Sequence, residues 1–163
     1  MRILGIDPGV ARMGYGILES DQDKVRAILY GCFETPARMN HAARLVAIHK
    51  KLVSLIKKYK PDRVAVEKLF FSKNTKTALA VGEARGVVLM TCANLGAPII
   101  ELAPKEIKSA LTGYGLANKA QVQKMVQLIL KLDHIPKPDD AADALAIAIC
   151  GLRTTDYSNC GKP

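Results

Sequence analysis

The stretch RILGIDPG at residues 2–9 decides the fold. Its Ile-Leu-Gly-Ile centre is typical of a buried β-strand, and the Asp-Pro-Gly sequence that begins at Asp7 predicts its end. Residues 14–18 and 25–33 predict two further strands, and the polar segment 20–23 between them predicts a hairpin turn. We therefore expect a three-stranded antiparallel meander with an acidic residue at the end of its first strand.

Helices and strands alternate after this meander. Residues 40–59 predict a helix, because leucine and isoleucine recur there every three or four positions. Residues 63–66 predict a short strand that ends at Glu67, residues 74–94 a second helix, and residues 98–102 a fifth strand. A helix between the third and fourth strands indicates that these later strands run parallel.

Three shorter helices are predicted in the rest of the chain, over residues 104–111, 119–132 and 139–152. The expected fold class is α/β, with a five-stranded mixed sheet flanked by helices on both faces. We interpret residues 1–153 as one domain and residues 154–163 as a loose C-terminal tail.

The chain carries a net charge of +9, which favours a polyanionic partner and nucleic acid in particular. No acid occurs between residues 35 and 61, where seven lysines and arginines lie.

Cys32, Cys92 and Cys150 form no CxxC pair, so we interpret them as small core residues in a reducing compartment. No apolar stretch approaches the roughly 20 residues of a spanning helix. We expect a cytoplasmic protein without a membrane partner.

Four carboxylates form the candidate active site. Asp7 and Glu67 end two strands, and ligand sites in α/β sheets form beyond the carboxyl ends of strands. Asp140 and Asp143 are three residues apart near the start of the last helix, so they share one face. Such acids stay ionised together only around a cation, and hard oxygen ligands suit Mg²⁺, with Mn²⁺ as a substitute. Two ions at this site would support phosphodiester hydrolysis.

Each acid also has an ordinary structural interpretation. Asp7 starts a turn, Glu67 follows a strand as surface acids often do, and Asp140 is a possible helix cap. Asp143 lies among apolar residues, where an acid needs a partner. We assign the capping role to the neighbouring Asp139, and we interpret Glu101 at the end of the fifth strand as a surface acid.

The chain resembles the RuvC family of crossover-junction (Holliday junction) endodeoxyribonucleases of bacteria. The resemblance extends over nearly the whole chain in five blocks: ILGIDPG at 3–9, VAVEKLFFSKN at 64–74, ALAVGEARGV at 78–87, NKAQVQKMV at 118–126 and DAADALAIA at 140–148. It implies a ribonuclease-H-like fold, a homodimer, Mg²⁺-dependent hydrolysis of branched DNA, and association with the RuvA and RuvB branch-migration proteins. The family's catalytic carboxylates fall on Asp7, Glu67, Asp140 and Asp143.

The resemblance also indicates residues that contact DNA. The family's base-wedging aromatic falls on Phe70, and its basic residues near the scissile phosphate fall on Lys108 and Lys119. Their ordinary interpretations are a strand end packed on the core and solvated helix surface. Further candidates for contacts with DNA are Lys73, Lys105 and Arg85.

Ala78, Gly82 and Gly86 are four residues apart and form a small-residue stripe on the second long helix. The stripe is a candidate for part of the dimer interface; the alternative is packing on the chain's own sheet.

The leading functional hypothesis is a junction-resolving endonuclease. Alternatives are an RNA-processing nuclease of the same fold and a non-catalytic nucleic-acid-binding module. The four acids argue against the second, because uncompensated acids weaken binding to phosphates. An actin-like ATPase would share an Asp-Pro-Gly loop, but the chain is too short for that two-lobed fold.

Overall fold

A computed structural model describes residues 1–21, 24–69 and 75–154. Its single sheet has the strand order β3-β2-β1-β4-β5. The central strand β1 pairs antiparallel with β2 and parallel with β4, which confirms the predicted mixed sheet. The five strands are β1 (Arg2–Asp7), β2 (Arg12–Asp21), β3 (Lys24–Glu34), β4 (Arg63–Glu67) and β5 (Ile99–Leu102).

Helices cover both faces of this sheet, as predicted. They are α1 (His41–Tyr59), α2 (Thr75–Asn94), α3 (Pro104–Thr112), α4 (Lys119–Ile129) and α5 (Asp139–Arg153). The core on one face is built with α1 and α2, and the core on the other face with α3, α4 and α5. No helix in the described ranges is long and apolar enough to cross a membrane.

Two predicted elements had the wrong length. β2 covers ten residues instead of the five predicted, because it pairs with β1 on one side and with β3 on the other beyond its apolar centre. α4 ends at Ile129 rather than at 132, since Lys131 adopts a positive φ of 51° that ends the helix.

The predicted capping role of Asp139 is wrong. Pro138 occupies the N-cap position of α5, and Asp139 is the first helical residue. The carboxylate of Asp139 instead accepts a hydrogen bond of 2.6 Å from Lys119 Nζ. α1 has an ordinary side-chain cap, since Asn40 accepts from the backbone N–H of Ala43 at 2.8 Å.

Side chains of β1 alternate between the two cores with the period of a strand. Leu4 and Ile6 belong to the core under α1 and α2, whereas Ile3 belongs to the core under α5. Asp7 follows the same alternation as Ile3 and Gly5, so the strand directs its carboxylate to the face that α5 covers.

The cysteines partly follow the expectation of core residues. Cys92 and Cys150 are buried, whereas Cys32 in β3 is only half-buried. All three are free thiols.

α5 lies unusually close to the sheet. Residues 144–151 of this helix are all buried. A Cβ atom at Gly5 would lie 2.2 Å from the Ala144 carbonyl oxygen and 2.7 Å from the Ala148 amide nitrogen. The absence of a side chain at Gly5 therefore sets the distance between β1 and α5.

We predict that Gly5→Ala destabilises the protein by about 1–3 kcal/mol or more, because the added methyl overpacks against helix backbone that cannot yield. Equilibrium denaturation in urea measures the effect. Gly115→Ala is the matched control: its Cβ would lie 3.5 Å from the nearest atom, an ordinary contact, and its effect should stay within about 0.5 kcal/mol. Equal stability of the two variants would contradict the close approach of α5.

Candidate functional site

The acids that end two parallel strands lie at one edge of the sheet. Asp7 is the last residue of β1, and Glu67 is the last residue of the neighbouring strand β4. The register that pairs Ile6 with Val66 brings the two ends level. The sequence prediction that these two acids meet at the carboxyl edge is therefore confirmed.

The start of α5 brings the other two acids to this edge. Gly14 of β2 pairs with Asp7, and a Cβ atom at Gly14 would lie 2.1 Å from the carbonyl oxygen of Asp140. Only a residue without a side chain admits the helix so close to the strands. The sequence analysis missed Gly14, although a glycine at the start of the second strand of the predicted meander was a signal for such an approach.

Three of the four acids line one cavity. This cavity of about 250 Å³ has the carboxylates of Asp7, Glu67 and Asp143 and the side chains of Lys108 and Lys119 in its wall. The remaining lining residues are Pro104, Ile107, Val122, Ala146 and Ile147. An acidic centre with two lysines beside it thus lies on a partly apolar base.

Crowding perturbs the acids of this cavity. Burial, followed by the charges of Glu67 and Asp143, raises the pKa of Asp7 to about 7. Burial and the charge of Asp143 also raise the pKa of Glu67, while Lys108 opposes that shift. The pKa of Asp143 is raised by burial against the opposing effect of Lys119. In a protein without metal, the group therefore resists carrying its full negative charge.

Asp140, the fourth acid, does not line the cavity. Its Oδ2 atom lies 2.8 Å from Arg12 Nη2, as an ion-pair contact. The same oxygen is buried and receives no hydrogen bond, so the contact with Arg12 is coulombic without hydrogen-bond geometry. The sequence analysis did not identify Arg12, since its pairing with Asp140 depends on how β2 meets α5.

Lys119, the first residue of α4, lies within the acid cluster. Its Nζ is 2.6 Å from Asp139 Oδ2 and 2.9 Å from Asp143 Oδ2. Although burial acts in the opposite direction, the hydrogen bonds that the ammonium donates to these two carboxylates raise the pKa of Lys119 above its ordinary value. The ammonium is therefore a counter-ion shared by Asp139 and Asp143.

The donor chemistry suits a hard divalent cation, although the acids are not arranged to hold one as they stand. Among the described residues, no group of three or more His, Cys, Asp or Glu side chains forms a ready metal cluster. Arg12 contacts Asp140 and Lys119 contacts Asp143, so two of the four acids have a cationic partner. The buried Oδ2 of Asp140 receives no hydrogen bond, and a cation would give it a partner. A cation would also reduce the repulsion among the crowded carboxylates.

The other predicted DNA contacts have mixed positions. Lys105 is exposed at the start of α3. Arg85 forms an ion pair with Glu101 and donates a hydrogen bond of 3.3 Å to the Glu67 carbonyl oxygen, so its guanidinium supports the end of β4. Glu101, interpreted from sequence as a surface acid, thus has a defined partner. Phe70 and Lys73 lie outside the described residues.

We predict that the metal-free protein loses stability as pH rises from about 4 to about 7. The pKa of Asp7 is about 7 in the folded protein and 3.8 ordinarily, so the folded state binds this proton more tightly than the unfolded state does. Loss of the proton between these two pH values therefore favours unfolding. Asp7→Asn lacks this penalty and should be more stable than wild type at pH 8, by on the order of 2 kcal/mol. Urea denaturation in EDTA at pH 5 and pH 8 measures both effects.

The control for this experiment is Asp133→Asn, an exposed acid after α4, which should follow the wild-type pH dependence. A less stable Asp7→Asn at pH 8 would show that the Asp7 carboxylate is not under the strain described.

Comparison with known proteins gives one consistent result. The family model for "Crossover junction endodeoxyribonuclease RuvC" matches residues 3–151. A crossover junction endodeoxyribonuclease RuvC of Syntrophomonas wolfei is 51% identical over 159 residues, which is 98% of this chain and 92% of that protein. The RuvC of Halothermothrix orenii is 52% identical over 92% of this chain and 91% of its own length.

A solved structure agrees with these relatives. T. thermophilus RuvC in complex with a Holliday junction substrate superposes with a TM-score of 0.86 at 35% identity, covering 92% of each chain. The ribonuclease-H-like fold expected from the sequence is thereby confirmed. The chain belongs to the RuvC family of crossover junction endodeoxyribonucleases, which are metal-dependent nucleases acting on phosphodiester bonds.

Proposed function

We propose that this chain resolves four-way DNA junctions during recombination and repair by paired, symmetric, metal-dependent hydrolysis. The observation that carries the proposal is the cavity in which Asp7, Glu67 and Asp143 meet Lys108 and Lys119. A nuclease needs carboxylates for metal and cations for phosphate at one place, and this cavity supplies both. The structural relative that holds a Holliday junction substrate supports the choice of branched DNA over RNA.

Asp7, Glu67, Asp140 and Asp143 are the proposed catalytic residues and metal ligands. Mg²⁺ is the proposed ion, two per subunit, with Mn²⁺ as a substitute. When bound, such ions activate a water molecule and stabilise the leaving oxygen. The four carboxylates would hold the ions. Arg12 contacts Asp140 and Lys119 contacts Asp143 in the structure, so both cations lie beside proposed metal ligands.

Basic side chains at the cavity provide the proposed contacts with phosphates. Lys108 and Lys119 line the cavity itself, and Lys105 is exposed one helical turn before Lys108. Such contacts should make junction binding fall steeply with salt. Arg85 remains a proposed contact, although its pairing with Glu101 favours a supporting role.

Phe70 and Lys73 complete the proposed DNA contacts. Phe70 follows Glu67, the last residue of β4, by three residues in the sequence. An aromatic side chain there would stack on an unpaired base at the junction crossover.

The enzyme is proposed to act as a homodimer, because two equal sites related by a two-fold axis fit the two cuts that a junction requires. The exposed face of α2 is the proposed interface. Leu79 is 70% exposed and Met90 48%, and a Cβ at Gly86 would meet nothing within 4 Å. A Cβ at Gly82 would contact Leu69 at 3.6 Å, so packing within the chain uses only part of the Ala78-Gly82-Gly86 stripe.

The remaining proposals follow from membership of the family. Residues 1–153 form one nuclease domain, and the tail that follows lies beyond the described residues except for Thr154, which accepts a hydrogen bond from Arg63 at 3.2 Å. The enzyme works in the cytoplasm, where RuvA and RuvB would deliver junctions to it.

We predict that Asp7→Asn abolishes cleavage of a synthetic four-way junction in Mg²⁺ while retaining junction binding. The rate should fall by at least about 100-fold, because metal-ion catalysis is worth several kcal/mol. Gel assays of cleavage and binding, with and without Mg²⁺, measure the two effects, and Asp133→Asn serves as the control. Retained cleavage would remove Asp7 from the mechanism; cleavage of structured RNA but not of the junction would overturn the proposed substrate.

We predict that Leu79→Glu converts the dimer to a monomer, because a buried charge would replace an apolar contact in the proposed interface. Analytical ultracentrifugation measures the oligomeric state. Leu128→Glu is the matched control, since Leu128 is 57% exposed on α4 and lies outside the interface. A dimer that survives Leu79→Glu would place the interface elsewhere.

A further inference from the structure

Lys119 has an unusual position for a lysine. It is the first residue of α4, where the helix dipole disfavours a positive charge. Asn118 and Gln121 cap this helix by hydrogen bonds of 3.0 and 2.9 Å, so its first turn is fixed in place. The ammonium is held there by acids of another helix, Asp139 and Asp143 of α5.

The two acids that hold Lys119 differ in their relation to the cavity. Asp143 lines the cavity and has a side chain that is 32% exposed. Asp139 is 53% exposed and does not line the cavity. One ammonium therefore joins an acid of the active site to an acid outside it.

A divalent cation and an ammonium cannot both occupy the same carboxylate closely without repulsion. A metal ion that binds Asp143 therefore weakens the interaction of this carboxylate with Lys119. Asp139 lies outside the cavity, and its carboxylate is already 2.6 Å from Lys119 Nζ. Lys119 therefore keeps a carboxylate partner when its contact with Asp143 weakens. If Asp139 were removed, Asp143 would be the one of these two carboxylates left to Lys119. Lys119 would then compete more strongly with the metal for Asp143.

We propose that Lys119 is a built-in counter-ion that competes with divalent metal for Asp143, and that Asp139 is a positioning residue that draws Lys119 away from Asp143 when metal binds. This inference rests on the proposed function, because it takes Asp143 to be a metal ligand. It assigns Asp139 a role in metal binding although Asp139 is not a ligand. The ammonium then stays at the rim of the cavity, where a phosphate of the substrate would meet it.

A double-mutant cycle on metal binding tests this coupling without any measurement of cleavage. The probe is Mn²⁺ alone, titrated into the full chain without DNA, with free Mn²⁺ followed by electron paramagnetic resonance. The variants are Asp139→Asn, Lys119→Met and the double variant, with Asp139→Glu as the conservative rescue. Circular dichroism melts show that each variant is folded.

Lys119→Met should tighten Mn²⁺ binding by about 5-fold, since it removes a competitor for Asp143. Asp139→Asn should weaken binding by about 2- to 5-fold, the scale of an exposed ion pair. Asp139→Glu should restore binding. In the Lys119→Met background, Asp139→Asn should have almost no effect, because the residue acts through the lysine.

An equal loss of affinity from Asp139→Asn in both backgrounds would overturn the inference, since it would show a simple through-space charge effect. Tighter binding in Asp139→Asn would also overturn it. These results leave the proposed function intact as long as Asp7→Asn weakens Mn²⁺ binding. Mn²⁺ binding that is insensitive to Asp7→Asn would instead overturn the metal assignment, and the inference with it.

Discussion

The close contact between α5 and the central strands is the constraint on which the rest of the structure depends. Gly5 and Gly14 leave no side chain between the sheet and the helix, where a Cβ atom would lie about 2 Å from helix carbonyl oxygens. α5 packs against these glycines with small residues, mostly alanines, and nearly all of them are buried. This contact fixes where the start of α5 lies relative to the strand ends, and so it fixes the distance between acids that are more than 70 residues apart in the chain.

The same contact creates an electrostatic problem. Bringing Asp143 beside Asp7 and Glu67 in a partly buried cavity raises the pKa of all three acids. The fold offsets part of this cost with two cations, Lys119 on Asp143 and Arg12 on Asp140. Lys108 also lines the cavity and opposes the raised pKa of Glu67, yet the pKa of all three acids stays above its ordinary value. The folded protein can therefore hold these acids together without metal, and the cluster keeps enough negative charge to attract a divalent ion.

The sequence predicted those parts of the site that depend on local pattern. Asp7 and Glu67 could be placed because each ends an apolar strand, and Asp143 because an acid among apolar residues needs a partner. The choice of Asp140 over Asp139 came from the family resemblance. The cap assigned to Asp139 was wrong because a cap is decided by backbone geometry, and the α5 N-cap falls on Pro138.

What sequence could not supply is the pairing of side chains across elements. Arg12 meets Asp140, and Lys119 meets Asp139, only because β2, α4 and the start of α5 converge at one edge of the sheet. Such pairs have no fixed spacing along the chain, so no periodicity reveals them. They matter because a cluster of like charges is stable only with its counter-ions, and in a metal enzyme those counter-ions must be able to leave. An exposed lysine with a second carboxylate at hand meets that requirement better than a buried ion pair, whose separation would leave an uncompensated charge in the core.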